Sequence, residues 1–287
     1  RILDFSEYGL PQRRRRAVAI GARQEIKLPR PPAVFVDAPM TVREAISHLR
    51  PVEAGGEAAD DPWHRAPAHT ERILKRIEAT PPDGGDRRSL SSAEQLTCHT
   101  SIDASSTPGF TDVYGRLRWD QPSVTITAKS STPSCGRFLH PEQHRNITVR
   151  EAAILQGFPQ DFEFLGPFVN QYRQIGEAVP PLVARWFAAS VLDYLRARST
   201  HVTGGSGDET NEEEGLVAVE AFCGSGGMSL GLQEAGLDLA LAFDLDEDAV
   251  ETFQENSHDG AEVLDARSSS TPERIEDAVE GRSWILA

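Results

Sequence analysis

The chain has 287 residues, 39% of them hydrophobic and 25% charged, and no stretch approaches the eighteen or so apolar residues of a membrane span. That composition suits a globular chain with a sizeable core; the expectation is an intracellular, cytoplasmic protein with no membrane partner. The formal net charge of −15 conceals a split, because residues 1–199 hold 26 Lys+Arg against 23 Asp+Glu while residues 200–287 hold 3 against 21. Lys27, Lys75 and Lys129 are the chain's lysines, so the positive charge is nearly all guanidinium, suited to bidentate contacts with phosphate and guanine edges. Cys98, Cys135 and Cys223 are too scattered for a disulfide framework and form no C-x-x-C metal pair.

In chain order, four arginines, Arg13 to Arg16, lead into the apolar run 17–21, which reads as a buried strand ending in Gly. Thr41 with Glu44 three residues on predicts a capped helix to about Leu49, and residues 51–69 read as a Pro, Gly and acid-rich loop. A short amphipathic helix over 71–79 is ended by Pro81-Pro82-Asp83-Gly84-Gly85. From 89 to 140 the chain is Ser, Thr, Gly and Pro rich, with one strand over 123–128. Thr148 and Glu151 cap a helix that Gly157 and Pro159 close. Pro180-Pro181 starts a long helix to about Arg198, with Val183, Trp186, Phe187, Val191, Leu192 and Leu195 at helical spacing. Residues 199–214 carry no apolar periodicity and read as a flexible linker. A restart follows: strand 216–222, a Gly-rich turn, helix 229–235, strand 239–243, Asp244, helix 247–256, a helix near 272–280 and a strand at 283–287.

The turn Phe222-Cys223-Gly224-Ser225-Gly226-Gly227 lies where a strand meets a helix N-terminus, so its glycines admit a ligand to the backbone and Asp244 is placed to accept from a ribose. A dinucleotide fingerprint needs Gly where Ser229 stands, and a purely structural turn is the other reading. In the arginine run, strand alternation puts Gln12, Arg14 and Arg16 on one face and Arg13 and Arg15 on the other, and the alternative is a solvated basic patch.

Four segments carry a family resemblance. Glu220-Ala221-Phe222-Cys223-Gly224-Ser225-Gly226-Gly227-Met228-Ser229-Leu230-Gly231-Leu232 resembles the first motif of the DNA cytosine-5 methyltransferases, and Gln12-Arg13-Arg14-Arg15-Arg16 their Q-x-R-x-R motif. Residues 137–141 and 148–159 are similar to the ninth motif, and Gln174-Ile175-Gly176-Glu177-Ala178-Val179-Pro180-Pro181 to the tenth. The resemblance implies an α/β, Rossmann-like S-adenosylmethionine-dependent methyltransferase fold with a small irregular target-recognition lobe. It implies that Phe222, Gly224, Ser225, Gly226 and Gly227 line the S-adenosylmethionine site, with Asp244 on the ribose, Asp265 on the adenine side and Glu177, Ala178 and Val179 completing the pocket. The family usually has Asn where Glu177 stands. Arg16 would contact the extruded cytosine, with Gln12 and Arg14 ordering the active site, and Cys223 is not the nucleophile.

The implied organisation assigns 1–88 to the catalytic domain, 89–140 to the recognition lobe, 141–198 to the ninth- and tenth-motif helices, 199–214 to a linker and 215–287 to the cofactor-binding part. The tenth motif thus precedes the first, a permuted order; a tandem fusion of two pieces is the alternative. No Pro-Cys-Gln or Glu-Asn-Val segment is present, so the chain reads as a partial sequence, inactive in methyl transfer alone. Alternatives are a non-catalytic DNA- or cofactor-binding subunit and a methyltransferase on another substrate. Expected partners are double-stranded DNA and a cognate restriction endonuclease, with the complete enzyme a nucleoid-associated monomer. The lobe offers Arg116, Arg118 and Arg137 for DNA contact, Arg116 and Arg118 foremost, while Tyr114, Trp119 and Phe138 are expected in its core.

Overall fold

The computed structural model describes residues 2–21, 33, 35–92, 94–96, 112–202, 216–257 and 260–287. A short antiparallel ribbon opens the chain, β1 (Ile2–Asp4) against β2 (Arg15–Ala17). The buried strand expected over 17–21 is not there: β2 is exposed along its length, and Ile20 is half exposed beyond it. Strand β1 is its one strand neighbour among the described residues, and within the run Val18 alone is half-buried, packed on the Leu3, Phe5, Tyr8, Leu10 and Val183 cluster. The 3₁₀ turn Phe5–Tyr8 between the two strands is buried instead, and Leu3, Phe5, Tyr8 and Leu10 pack on Val183 of the long helix.

Helix α1 (Val42–Ile46) carries the predicted capping box, Glu44 N–H donating to Thr41 Oγ1 and Thr41 N–H to Glu44 Oε2. The expected loop 51–69 contains a hairpin, β3 (Glu57–Ala58) with β4 (Asp61–Arg65), before α2 (Glu71–Ala79). Helix α3 (Val149–Gln156) has the second capping box, Thr148 with Glu151, and ends on Gly157 at φ 89°. Helix α4 (Phe168–Glu177) is an addition to the sequence reading, and α5 (Pro181–Val202) starts at the predicted proline and runs four residues into the expected linker. The rest of that linker lies outside the described residues.

The strand expected over 123–128 reduces to one isolated bridge, Gln12 to Ser123. The reason is local: the Ile126 N–H is taken by the Gln12 side chain and its carbonyl by Arg14, so no backbone ladder extends. Nor do positions 88 and 140 bound a separate lobe. Leu117, Trp119, Ile126 and Phe138 share one core with Val42, Ile46, Val149, Leu155 and Ile175, while Tyr114 and Leu139 pack on Ile77. Residues 97–111, the centre of the expected lobe, lie outside the described residues.

The acidic third of the chain folds as an α/β unit. Strand β5 (Val217–Ala221) is buried on both faces, as a central parallel strand must be. Strand β6 (Asp238–Asp244) pairs with it through α6 (Gly227–Glu234), then β7 (Ala261–Val263) through α7 (Glu247–Asn256), then β8 (Trp284–Leu286) through α8 (Thr271–Val279). All pairings are parallel, in the order β7-β6-β5-β8. One face, with Ala218 and Ala242, meets α5, α6 and α7; the other, with Val217, Val219, Leu241 and Phe243, meets α8. Strand order reverses between β5 and β8, where an open α/β sheet receives ligands outside the strands' carboxyl ends. Helix α5 lies along α6 because Gly231 has no side chain: a Cβ there would stand 2.3 Å from the Pro181 carbonyl oxygen.

Candidate cofactor and DNA site

At the carboxyl end of β5 the backbone turns sharply, with Phe222 at φ 60° and 73% exposed. A positive φ at a bulky aromatic is an outlier that surrounding structure must hold. The glycines that follow divide their work. Gly224, at φ 53°, faces open space, with nothing within 4 Å of where a Cβ would stand. Gly226 instead sits against the Phe253 ring (2.6 Å from its virtual Cβ) and Gly227 against the Val179 carbonyl oxygen (2.4 Å). These two glycines let α7 and the segment 178–180 close on the turn, so what they can present to a ligand is backbone. The Ser225 side chain is buried, its hydroxyl without a protein partner beside a cavity of about 10 Å³, room for one water.

Asp244 ends β6 and braces this turn. Its Oδ2 accepts from Gly224 N–H at 2.9 Å and its Oδ1 from Asp246 N–H at 3.0 Å, which leaves lone pairs on both oxygens for a diol. Phe222, Leu245 (56% exposed) and Val263 (51% exposed) form an apolar rim at the carboxyl ends of β5, β6 and β7. Leu245 and Val263 went unnoticed in the sequence; their signal was position, one residue past a strand end for Leu245 and the last strand residue for Val263. Asp265 follows β7, with Arg267 forked on its carboxylate, which holds its pKa below the ordinary range. An adenosyl ligand fits this set: an acceptor pair for hydroxyls, apolar faces for a flat ring, and a helix N-terminus with no side-chain cap. Ala178 and Val179 border the turn, whereas the Glu177 side chain points to solvent, 4.0 Å from Arg173.

A second cluster adjoins the first. Gln12 is wholly buried; its Nε2 donates to the Leu155 carbonyl at 3.0 Å and to Gln156 Oε1 at 2.7 Å. Arg14 is also buried, with Nη1 on the Ile126 carbonyl at 2.9 Å and Nη2 on those of Gly176 and Ala178 at 3.0 and 3.4 Å. Burial, with the Arg16 charge nearby, lowers its pKa to about 10, so it stays charged at neutral pH. Gln156 Nε2 completes the knot on the Ala178 carbonyl at 2.9 Å. Arg16 is exposed, and among the described residues its guanidinium donates to its neighbour's carbonyl. The predicted alternation thus holds from Gln12 to Arg15 and breaks at Arg16, whose guanidinium stands free of the buried knot.

Two of the three DNA candidates are corrected. Arg116 is fully buried, with all its donors on carbonyls and a histidine, and Arg137 is buried on the Asp86 and Asp112 carboxylates and the Gly84 and Arg116 carbonyls. Arg118 is exposed.

The model of the C-5 cytosine-specific DNA methylase family matches residues 1–193 and 216–278, spanning both clusters. The chain belongs to that family. It is 36% identical over 198 residues to the Type II methylase M.HgiDII of Herpetosiphon aurantiacus, covering 68% of this chain and 55% of that protein. It is 36% identical over 196 residues to the Type II methyltransferase M1.HphI of Haemophilus parahaemolyticus, covering 67% and 47%. A 74-residue stretch is 49% identical to DNA (cytosine-5)-methyltransferase 1 of Mus musculus, 25% of this chain and 5% of that one. The chain spans about half the length of the two bacterial methylases.

Inside this methylase fold, Cys223 is buried, and burial with the Glu220 and Asp244 charges pushes its thiol well above the usual range, the opposite of what a nucleophile needs. Glu220, buried under the turn and accepting from Ser229 Oγ, is raised by desolvation to about 7. A raised carboxyl pKa means that the folded state holds this proton more tightly than the unfolded chain. The associated stability is fully present below pH ~4.5 and lost as pH rises through about 7. Glu220→Gln is expected to melt above the unaltered chain at pH 8 and to lose that margin at pH 5; a margin independent of pH in thermal melts contradicts the assignment.

Proposed function

We propose that this chain supplies the cofactor site and the base-contacting arginine of a DNA cytosine-5 methyltransferase that acts on a base flipped out of the duplex. The observation that carries the reading is the junction of the two clusters: the segment 176–179 is held by Arg14 on one side and pressed against Gly227 of the cofactor turn on the other. S-adenosylmethionine bound there supplies an electrophilic methyl group. Asp244 accepts from the ribose hydroxyls, Phe222, Leu245 and Val263 exclude water from the adenosyl face, Asp265 faces the adenine, and Ala178 and Val179 close the pocket. Arg16 donates to the cytosine while Gln12 and Arg14 fix the segment that carries it. Cytosine C5 becomes nucleophilic only after a thiolate adds at C6, and none of Cys98, Cys135 and Cys223 has the Pro and Gln neighbours of the family's nucleophile loop. That thiolate comes from a Pro-Cys-Gln segment outside this sequence, and the chain alone binds the cofactor without transferring its methyl group. Calorimetry tests the first half: equimolar binding of S-adenosylmethionine is expected, and no heat of binding contradicts it.

Double-stranded DNA is the substrate, and the likeness to Type II enzymes supports a cognate restriction endonuclease as functional partner. With Arg116 and Arg137 structural, Arg118 is the lobe arginine left for DNA. In the completed enzyme, Arg118→Ala is expected to relax discrimination at one base position by about 1–3 kcal/mol. Mapping methylated cytosines across random DNA reads this directly, and an unchanged site with unchanged rate removes Arg118 from recognition.

A further inference from the structure

Helix α4 docks across the N-terminus of α7 through three side chains. Asn170 Nδ2 donates to Asp248 Oδ2 at 2.5 Å, Gln174 Nε2 to the Asp248 carbonyl at 3.4 Å, and Arg173 Nη2 forms an ion pair with Asp246 Oδ2. Asp246 is the N-cap of α7, its Oδ1 accepting from Ala249 N–H at 3.3 Å. Its own N–H donates to Asp244 Oδ1, and Asp244 Oδ2 in turn accepts from Gly224 N–H. The guanidinium therefore stands three links from the open face of Gly224. Its other terminal nitrogen, Nη1, lies 4.0 Å from Glu177 Oε2, one helical turn on.

Charge explains why a cation is needed. Asp244, Asp246, Glu247 and Asp248 crowd one strand end and the first turn of α7. Removing Arg173 leaves the Asp246 carboxylate on its 3.3 Å cap bond from Ala249 N–H, which loosens the residue whose backbone N–H orients Asp244. We propose that Arg173 is a positioning residue for the cofactor, fixing Asp246 and through it the Asp244 carboxylate, so that docking of α4 and cofactor affinity are coupled. The inference rests on the reading of this cleft as an S-adenosylmethionine site. Helix α4 also carries Gly176, whose carbonyl Arg14 holds, so the same helix ties the base-contacting cluster to the cofactor turn.

The test separates positioning from simple charge. S-adenosylmethionine carries a sulfonium that S-adenosylhomocysteine lacks, so deleting a nearby cation by charge alone strengthens binding of the first and leaves the second unmoved. Loss of positioning weakens both alike. Calorimetry on the unaltered chain, Arg173→Ala, Arg173→Lys, Asp246→Asn and the Arg173→Ala/Asp246→Asn pair is expected to show about fivefold weaker binding of both ligands in Arg173→Ala, roughly the worth of a half-exposed ion pair. Arg173→Lys should recover part of it, Asp246→Asn should match the loss, and the pair should lose no more than either single change. Affinity unchanged or improved in Arg173→Ala, or additive losses in the pair, overturns the coupling while leaving the cofactor site standing. Failure of the unaltered chain to bind either ligand overturns both.

Discussion

Arg116→Ala is expected to be strongly destabilising, by about 3–5 kcal/mol. A guanidinium has five N–H donors, and Arg116 spends each inside the fold. Nε donates to the Thr80 carbonyl at 2.8 Å, Nη1 to those of His140 at 2.9 Å and Gln143 at 2.5 Å, and Nη2 to the Ile77 carbonyl at 2.8 Å and His144 Nδ1 at 2.9 Å. The side chain thus pins the C-terminal end of α2 to the segment 140–144. Burial lowers its pKa to about 10, so it remains a cation at neutral pH with backbone dipoles as its counter-charge. Truncation strips the Thr80 and His140 carbonyls of their donor, leaves those of Ile77 and Gln143 with only the Thr80 and Arg145 N–H groups, and opens a cavity where a large side chain was. These costs fall on a fold whose whole margin is about 5–15 kcal/mol. Arg116→Lys should recover little, since three donors on a point charge cannot reproduce the planar fork. Urea unfolding of Arg116→Ala beside Arg118→Ala checks this, the latter expected within about 0.5 kcal/mol of the unaltered chain. Similar midpoints for the two would contradict the structural role.

The second large effect is on affinity. Asp244→Ala removes the acceptors for a ribose diol and also those for Gly224 N–H and Asp246 N–H, so the ligand loses partners and the turn loses its brace. The expected loss in S-adenosylmethionine binding is about 1–3 kcal/mol, roughly 5- to 150-fold in Kd. Asp244→Asn keeps one acceptor oxygen but sets an amide against one of the two backbone donors, so it should fall between. Calorimetric affinity within twofold of the unaltered chain for Asp244→Ala would remove the residue from the site.

What the sequence disclosed follows from how local each signal was. The capping boxes at Thr41 and Thr148, the proline start of α5 and the β5-turn-α6-β6-α7 succession are written in neighbouring residues, and they stand where the spacing placed them. Strand 17–21 failed because a strand needs a neighbour, and an apolar run does not say whether one exists. Strand 123–128 failed because side chains from residues 12 and 14 took the backbone groups of Ile126, a competition over more than a hundred residues of sequence. The arginines show the same limit. Residue type marks Arg116, Arg118 and Arg137 alike as DNA contacts, and only burial separates the clamp at 116 and the ion pairs of 137 from the exposed side chain at 118. Within the cofactor turn, glycine count alone could not divide Gly224, which faces open space, from Gly226 and Gly227, which exist to be packed against.

The central claim, transfer of a methyl group to cytosine C5, is tested most directly by incubating duplex DNA with tritium-labelled S-adenosylmethionine and this chain, alone or joined to a segment bearing the Pro-Cys-Gln loop, then digesting the DNA and separating its nucleosides. The account predicts label in 5-methyldeoxycytidine with the joined protein, its loss in Arg16→Ala, and no label with the chain alone. Label on an exocyclic amine of cytosine or adenine, or transfer by the chain without the added loop, would contradict it.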